Sequence, residues 1–195
     1  MQQNKTNMKS VFFITITLFS LNLFSQKPCE ISTNLNDSIG TYKTTKDYLV
    51  YEKNFNEKSS YIFASLVLMN GTPTLHLQFI EKSKDFIKAK CFDKNSKIYL
   101  QLINGKIIPL IHTNEESCGT LLRDDKGINN RVLDGYFLLK KDDYGELKKS
   151  PISFIQVRYS MDKIDYIFKK ELKSELDGNI YEPEDYLINY LHCLE

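Results

Sequence analysis

Four cysteines are the residues of this 195-residue sequence with the clearest capacity for chemistry. They are Cys29, Cys91, Cys118 and Cys193, and all of them follow the first 25 residues. In an oxidising compartment an even number of cysteines favours disulfide bonds, which four cysteines can form in three different pairings. The alternative is a set of four buried or free thiols.

The three histidines do not belong to a recognisable metal-binding or catalytic motif. Metal sites use converging ligands, as in H-E-x-x-H or paired Cys-x-x-Cys, and His76, His112 and His192 occur in neither pattern. The sequence also has no G-x-S-x-G nucleophile motif. His192 and Cys193 are neighbours, so on a helix they point in different directions. We therefore expect solvent-facing or partly buried histidines, and we predict no catalytic, metal-binding or cofactor-binding residue.

Two acidic clusters could in principle bind calcium. One combines residues 124–125 with 129–130, and the other combines 142–143 with Glu146. Calcium loops space their oxygen ligands as D-x-[DN]-x-[DN]-G, and neither cluster has this spacing. We interpret both clusters as solvated turns.

The first 25 residues have the three parts of a secretory signal peptide. Two lysines precede a short apolar run over residues 11–24, and Ser25 is a small residue suited to cleavage. We predict cleavage between Ser25 and Gln26, with Met8 as an alternative start of the same signal. The apolar run is too short for a membrane-spanning helix, which needs about 20 apolar residues. The leader predicts an exported protein, either periplasmic or extracellular.

The charge of the chain excludes one class of partner. Lysine and arginine number 26 against 25 acidic residues, which gives a net charge of +1. Nucleic-acid-binding proteins usually carry a strongly basic face or a high isoelectric point. We expect no nucleic-acid partner, and the mature sequence contains no apolar stretch long enough to span a membrane.

Two Asn-Gly dipeptides flanked by apolar residues predict β-hairpins with two-residue turns. In the first, Asn70-Gly71, such a turn places Leu66 opposite Leu75 and Ile62 opposite Phe79. These residues form one apolar face. Because a slip of one residue would move every side chain to the opposite face, this agreement supports the register.

The second dipeptide, Asn104-Gly105, predicts a hairpin of the same kind. A two-residue turn there places Leu102 opposite Ile107 and Ile98 opposite Ile111. The same register, extended outward, would place Cys91 level with Cys118.

A disulfide between these two cysteines would close the open end of the second hairpin. Residues 93–96 resemble a turn, so we expect a bond across loops rather than within a regular ladder. Cys29 and Cys193 then form the remaining candidate pair, which would tie the N-terminal segment to the last helix.

The end of the chain has the pattern of a helix. Pro183 suits a first helical position, and two acidic residues follow it in the first turn. Apolar residues then recur at helical spacing, which predicts packing against a sheet. A helix that binds a partner is the alternative. The apolar residues are Leu187, Tyr190, Leu191 and Leu194.

The remaining sequence divides into a lead-in and a β-rich part. We expect residues 26–40 to be irregular and residues 41–195 to form a single β-rich domain. Further strands are predicted near 46–52, 86–92, 132–140, 152–160 and 163–169, with long loops at 113–131, 141–151 and 173–182.

The leader ending in FSQ, the Lys/Asn/Ile bias, the Asn-Gly hairpins and the ending DYLINYLHCLE resemble small exported bacterial proteins of unknown function. This resemblance implies a compartment and a fold class but no activity. The predicted fold is mainly β: an antiparallel sheet or a two-sheet sandwich built from hairpins, with a C-terminal α-helix packed on one face.

The functional hypothesis from the sequence is a non-catalytic exported protein that binds another protein or an envelope component. It rests on a well-patterned core without an assembled set of polar residues. The alternative is a secreted or periplasmic hydrolase, whose site would be built from residues distant in the sequence. A deep pocket with converging carboxylates or histidines would favour the hydrolase, and a flat face with exposed aromatic residues or an open strand edge would favour binding.

Overall fold

The structure, a computed structural model, describes residues 26–113 and 116–195. The predicted signal peptide, residues 1–25, lies outside this part of the chain. The described residues are mainly β, as predicted, and their strands form two antiparallel sheets and two short ribbons.

The larger sheet has seven strands in the order β1-β2-β4-β5-β11-β10, with β3 paired to the same edge of β4 as β2. The smaller sheet has four strands in the order β13-β12-β7-β8. In the larger sheet the strands are β1 (Ile31–Asn36), β2 (Thr41–Thr45), β3 (Tyr48–Phe55), β4 (Lys58–Met69), β5 (Thr72–Ser83), β10 (Thr120–Arg123) and β11 (Asn129–Leu138). In the smaller sheet they are β7 (Lys97–Leu102), β8 (Ile107–Ile111), β12 (Ile152–Arg158) and β13 (Lys163–Ile167).

Two ribbons and two helical segments complete the described chain. The ribbons pair β6 (Cys91–Phe92) with β9 (Ser117–Cys118) and β14 (Leu172–Lys173) with β15 (Ile180–Tyr181). Helical residues occur at α1 (Tyr144–Leu147), after a 3₁₀ turn at Lys141–Asp143, and in the C-terminal helix, which consists of a 3₁₀ turn (Pro183–Asp185), α2 (Tyr186–Tyr190) and a last 3₁₀ turn (Leu191–Leu194).

The main core contains buried side chains from both sheets and from the C-terminal helix. Alternate residues of β4, β5 and β7 point into it, because side chains on a strand alternate between the two faces of the sheet. The helix contributes Leu187, Leu191 and Leu194, which are 1%, 0% and 8% exposed. The prediction that the helical stripe is part of the core is therefore confirmed.

The first hairpin has the predicted register. Leu66 pairs with Leu75 and Ile62 with Phe79. The turn residues Asn70 and Gly71 both have positive φ, 50° and 77°, as a two-residue turn of this kind requires.

The second hairpin differs from the prediction by one residue. Its loop has three residues, Ile103–Gly105: Leu102 N donates to Lys106 O at 2.8 Å, and Gly105 has a φ of 88°. This is the pattern of a type I turn followed by a glycine bulge. The slip changes which side chains of β8 are buried, so that Ile108 and Leu110 join the core and the expected Ile107 and Ile111 are exposed.

Both cysteine pairs lie at disulfide distance in the pairing that the sequence indicated. The Cα atoms are 4.0 Å apart for Cys91–Cys118 and 5.7 Å apart for Cys29–Cys193. The two residues of the first pair are direct partners in the β6–β9 ribbon, which is separate from the β7–β8 ladder. The Cys91–Cys118 distance thus fits the expected pair, although the hairpin register from which the pair was inferred is off by one residue.

The β6–β9 ribbon is anchored to the core by Phe92. Its ring is fully buried and stacks on Tyr159 at 5.1 Å between ring centroids. It passes over Gly135 of β11, where an added Cβ would come within 2.7 Å of the Phe92 ring. Gly135 is therefore needed for the ribbon to pack closely.

Several predicted boundaries need correction. The lead-in 26–40, expected to be irregular, contains β1, because the first disulfide cysteine and β2 hold it against the larger sheet. The segment 86–92, expected as a strand, forms one only at Cys91–Phe92. The expected loop 113–131 includes β9, β10 and the start of β11. The loops at 141–151 and 173–182 carry α1 and the β14–β15 ribbon. None of the helices in the described part of the chain is long and apolar enough to cross a membrane.

Candidate functional site

The outer face of the smaller sheet carries charged residues that folding does not explain. Side chains alternate between the two faces along β7, β12 and β13. Ile98, Val157 and Tyr166 are buried, and the residues next to them in each strand point outward. We call the outward side chains of β7, β8, β12 and β13 the docking face. At one end of it lie the side chains of Lys97, Arg158 and Lys163, which we call the cation row.

The three cations are cross-strand neighbours. Arg158 pairs directly with Lys97 on one side and with Lys163 on the other. Neighbouring strands lie about 4.8 Å apart, so the backbone positions of the three residues lie within roughly 10 Å. Like charges in directly opposite positions destabilise a sheet. None of the three forms an ion pair with any residue of the described ranges.

Exposed isoleucines border the cation row. Ile111 pairs with Lys97 at the end of the row and is 41% exposed, and Ile107 on the same strand is 55% exposed. Ile167 on the opposite edge strand is 72% exposed. Half-buried Tyr99 and Phe154 lie between these edges. The face thus combines exposed isoleucines with a basic end and with the polar pair Gln156 and Asp165, a composition that suits contact with another macromolecule.

The edge strands of this face are β8 and β13. Pro109 occupies the middle of β8, opposite Tyr99, and has no N–H to offer to an added strand. Proline on an edge strand discourages pairing with a further strand. Pro109 therefore disfavours the addition of a strand at the β8 edge.

A second polar arrangement lies on the outer face of the larger sheet. The Ser65 hydroxyl lies 3.0 Å from His76 Nδ1, and His76 Nε2 lies 3.0 Å from Asp134 Oδ1. Adjacent strands β4, β5 and β11 bring these residues together, and the Gln78 amide also donates to Asp134 Oδ1. The His76 ring stacks on Tyr136 at 4.4 Å. We call Ser65, His76 and Asp134 the Ser-His-Asp network.

The electrostatics of this network favour an ionised Asp134. The hydrogen bond from His76 lowers the pKa of the Asp134 carboxyl below its ordinary value, although partial burial acts in the opposite direction. The serine, however, is poorly placed for nucleophilic attack. Ser65 is only 2% exposed, so a substrate carbonyl has no approach to its hydroxyl. The geometry fits polar groups that satisfy one another on a sheet.

Of the three histidines, His76 is half-buried, which agrees with the expectation of a solvent-facing or partly buried side chain. His112 was expected to be solvent-facing or partly buried, and this is wrong. It is 5% exposed and packs against Phe92 and Phe137, because a bridge from His112 to Phe137 draws the end of β8 onto β11. Burial lowers the pKa of His112, which favours its neutral form.

His192 lies next to the Cys29–Cys193 disulfide. Its Nε2 atom is 3.2 Å from Cys29 Sγ and 3.8 Å from Cys193 Sγ. Three potential ligand atoms therefore meet there, and Cys91, Glu116 and Cys118 form a similar group. In both groups the two sulfurs are bonded to each other, and a disulfide lacks the thiolate that binds a metal ion. Neither group fits a metal site in this state.

Comparison with known proteins does not assign the chain to a family. No protein-family model matches it, and neither a curated protein nor a solved structure matches it with significant similarity. The functional argument therefore rests on the geometry of these sites.

The pattern of residues along one strand does not indicate which other strands become its neighbours. Ser65 and His76 follow from the first hairpin, whereas Asp134 joins them only because β11 pairs with β5. The cation row likewise requires β12 to lie between β7 and β13. The only signal in the sequence was a charged residue at an alternate position of each strand.

Proposed function

We propose that this is an exported, non-catalytic binding protein whose docking face contacts an acidic surface on a partner protein. The observation that carries the proposal is the cation row. Lys97, Arg158 and Lys163 oppose one another across three strands and have no anionic partner among the described residues. A negatively charged partner would remove their mutual repulsion and cover the neighbouring isoleucines.

An anionic membrane is the weaker candidate for the same face. Each lysine or arginine near an anionic lipid surface contributes about 1 kcal/mol, so the row would supply about 3 kcal/mol. A dissociation constant of 1 mM already requires about 4.1 kcal/mol. A protein partner that also buries Ile107, Ile111 and Ile167 gains apolar burial in addition to charge pairing.

The hydrolase alternative has one supporting observation, the Ser-His-Asp network. The burial of Ser65 makes this network a poor catalytic site, and the docking face carries exposed isoleucines beside its cation row. These features favour binding over hydrolysis. A direct check is to assay the purified protein with activated esters and to compare it with the Ser65→Ala variant; equal background rates are expected.

Export is supported by the two disulfides, since such bonds persist mainly in oxidising compartments. Together with the signal-peptide pattern they favour a periplasmic or extracellular location. N-terminal sequencing of the secreted or periplasmic chain should identify Gln26 as the first residue. A mature chain that still begins at Met1 or Met8 would contradict this part of the proposal.

The docking face can be tested by crosslinking in the cells that produce the protein. A photoreactive phenylalanine analogue replaces Tyr99 at the centre of the face, or Phe55 as a control on the larger sheet. We expect a covalent adduct with a protein from position 99 and none from position 55. Mass spectrometry of the adduct should identify a partner with an acidic surface.

A charge-reversal pair then tests the role of the cation row. The variant Lys97→Glu/Lys163→Glu should abolish the adduct, and the matched variant Lys53→Glu/Lys126→Glu, with the same net charge, should retain it. Adducts of equal yield in both variants would contradict the assignment, as would an adduct that contains lipid in place of protein.

A further inference from the structure

A cavity of about 310 Å³ lies between the β2–β3 connection, the β14–β15 ribbon and the C-terminal helix. Four tyrosines line it: Tyr48, Tyr181, Tyr186 and Tyr190. We call it the tyrosine pocket. Its volume is at the lower end of the range for small-molecule sites, which suits a ligand the size of a single substituted ring.

The four rings form a connected wall centred on Tyr48. The Tyr48 ring lies 5.0 Å from Tyr181, 5.2 Å from Tyr186 and 5.3 Å from Tyr190, measured between ring centroids. Glu182 N donates a hydrogen bond of 2.7 Å to the Tyr48 hydroxyl, which fixes the central ring. A wall of phenol rings offers stacking surface and attracts cations through the negative faces of the rings.

The charged side chains that line the tyrosine pocket form ion pairs, with one exception. Lys27 bonds to Glu182 at 2.5 Å, and Lys46 bonds to Glu30 at 3.2 Å. Asp47, which also lines the pocket, has no hydrogen bond or ion pair with the rest of the described chain. The one unmatched charge at the pocket is therefore negative.

Lys27 shows that this environment favours a cation. Burial lowers the pKa of Lys27, but the hydrogen bond to Glu182 and the neighbouring Tyr48 more than offset this effect, so that its pKa lies above the ordinary value. The main contribution that offsets burial comes from the paired Glu182 carboxylate.

A buried polar group also lines the pocket. The Tyr186 side chain is almost fully buried, and its hydroxyl makes no hydrogen bond of normal geometry with the described residues. Its nearest polar neighbour is Thr45, whose hydroxyl oxygen already accepts a hydrogen bond from Leu66 N. The hydroxyl is closed to solvent, so Tyr186 contributes its ring to the pocket and not a polar contact to a ligand.

From these features together we infer that the tyrosine pocket binds a small organic ammonium ion. The aromatic or aliphatic body of the ligand would pack on the tyrosine rings, and its ammonium group would pair with Asp47. This inference rests on different residues from those of the docking face and does not depend on the proposed function.

Three probes with one aromatic body and different charges test the inference: phenethylamine, 2-phenylethanol and phenylacetate. We expect chemical-shift changes at the tyrosine pocket, with phenethylamine bound more tightly than the alcohol and the alcohol more tightly than the acid. Tighter binding of phenylacetate would overturn the inference, as would the failure of phenethylamine to bind at about 10 mM, which corresponds to less than 3 kcal/mol.

Variants locate the ammonium group. Asp47→Asn should weaken phenethylamine binding by about three- to tenfold, the range for a partly exposed charged hydrogen bond, and should leave 2-phenylethanol unchanged. The matched variant Asp125→Asn, at an exposed turn, should bind both probes as the wild type does. Equal weakening in both variants would show that the amine responds only to net charge. That result, or undiminished binding by Asp47→Asn, would overturn the inference.

Discussion

On the outer face of the larger sheet, Ser65, His76 and Asp134 hydrogen-bond to one another, whereas on the outer face of the smaller sheet Lys97, Arg158 and Lys163 face one another without an anionic partner in the described chain. The first face uses its polar residues to satisfy each other. The second carries charges that act against the stability of its own sheet. The difference shows that a set of polar residues that looks catalytic can serve the fold, and that a set which costs stability is the better candidate for a function.

The largest loss of stability is expected from a change in the core beneath both faces. Leu191→Ala removes a fully buried side chain from the C-terminal helix and should cost about 2–5 kcal/mol of unfolding free energy. Urea denaturation measures this loss. Leu176→Ala, at a side chain that is 49% exposed, is the control and should change little. An unchanged midpoint for Leu191→Ala would exclude a core role and restore the partner-helix alternative.

Removal of the shared acceptor should break the Ser-His-Asp network. Asp134→Ala leaves the His76 ring and the Gln78 amide without their acceptor, and we expect a loss of about 1–3 kcal/mol. The lower half of that range applies because the Asp134 side chain is 42% exposed. Asp165→Ala on the docking face should cost less, because Gln156 is the one donor to this carboxylate among the described residues. A larger loss at Asp165 would reverse the comparison.

Charge reversal on the docking face should raise the stability of the folded protein, whereas the two previous changes lower it. Lys97→Glu/Lys163→Glu replaces two repulsive pairs with two attractive ones around Arg158, and each cross-strand pair contributes about 0.2–1 kcal/mol. We expect a higher melting temperature together with the loss of partner crosslinking described above. A lower melting temperature would mean that the lysines already stabilise the sheet.

Acid should affect the larger-sheet face selectively. Because the pKa of Asp134 in the folded chain lies below its ordinary value of 3.8, its stabilising effect is fully present above about pH 4 and disappears as the pH falls through the lower folded value. Melting curves between about pH 5 and pH 2 should show a smaller decline for Asp134→Asn than for the wild type. Parallel declines would show that the network does not hold the carboxylate ionised. The cation row keeps its charge throughout this range.

The two hairpins show how far local sequence determines structure. Both contain Asn-Gly between apolar runs, and only the first forms a two-residue turn. There Asn70 itself has positive φ, whereas in the second hairpin only Gly105 does, and one more residue enters the loop. The dipeptide predicts a turn but does not fix its length, and the length decides which residues of β8 face the core.

The candidate site was less predictable than the hairpins. Alternation places Lys97, Arg158 and Lys163 on the outside of their strands, but their alignment depends on the order of strands far apart in the chain. The same holds for Asp134 beside His76. Strand order is set by the packing of the whole core, which no local pattern of residues contains.

The Cys29–Cys193 disulfide has a consequence for the timing of maturation. Its two cysteines are 164 positions apart, and the second lies two residues before the last residue of the sequence. At synthesis rates of about 5–20 residues per second, Cys193 is synthesised roughly 8–30 s after Cys29. The bond that ties the segment before β1 to the C-terminal helix therefore forms late. Until then Cys29 is a thiol open to the wrong cysteine, and the enzymes that form and reshuffle disulfides would act on this chain at that stage.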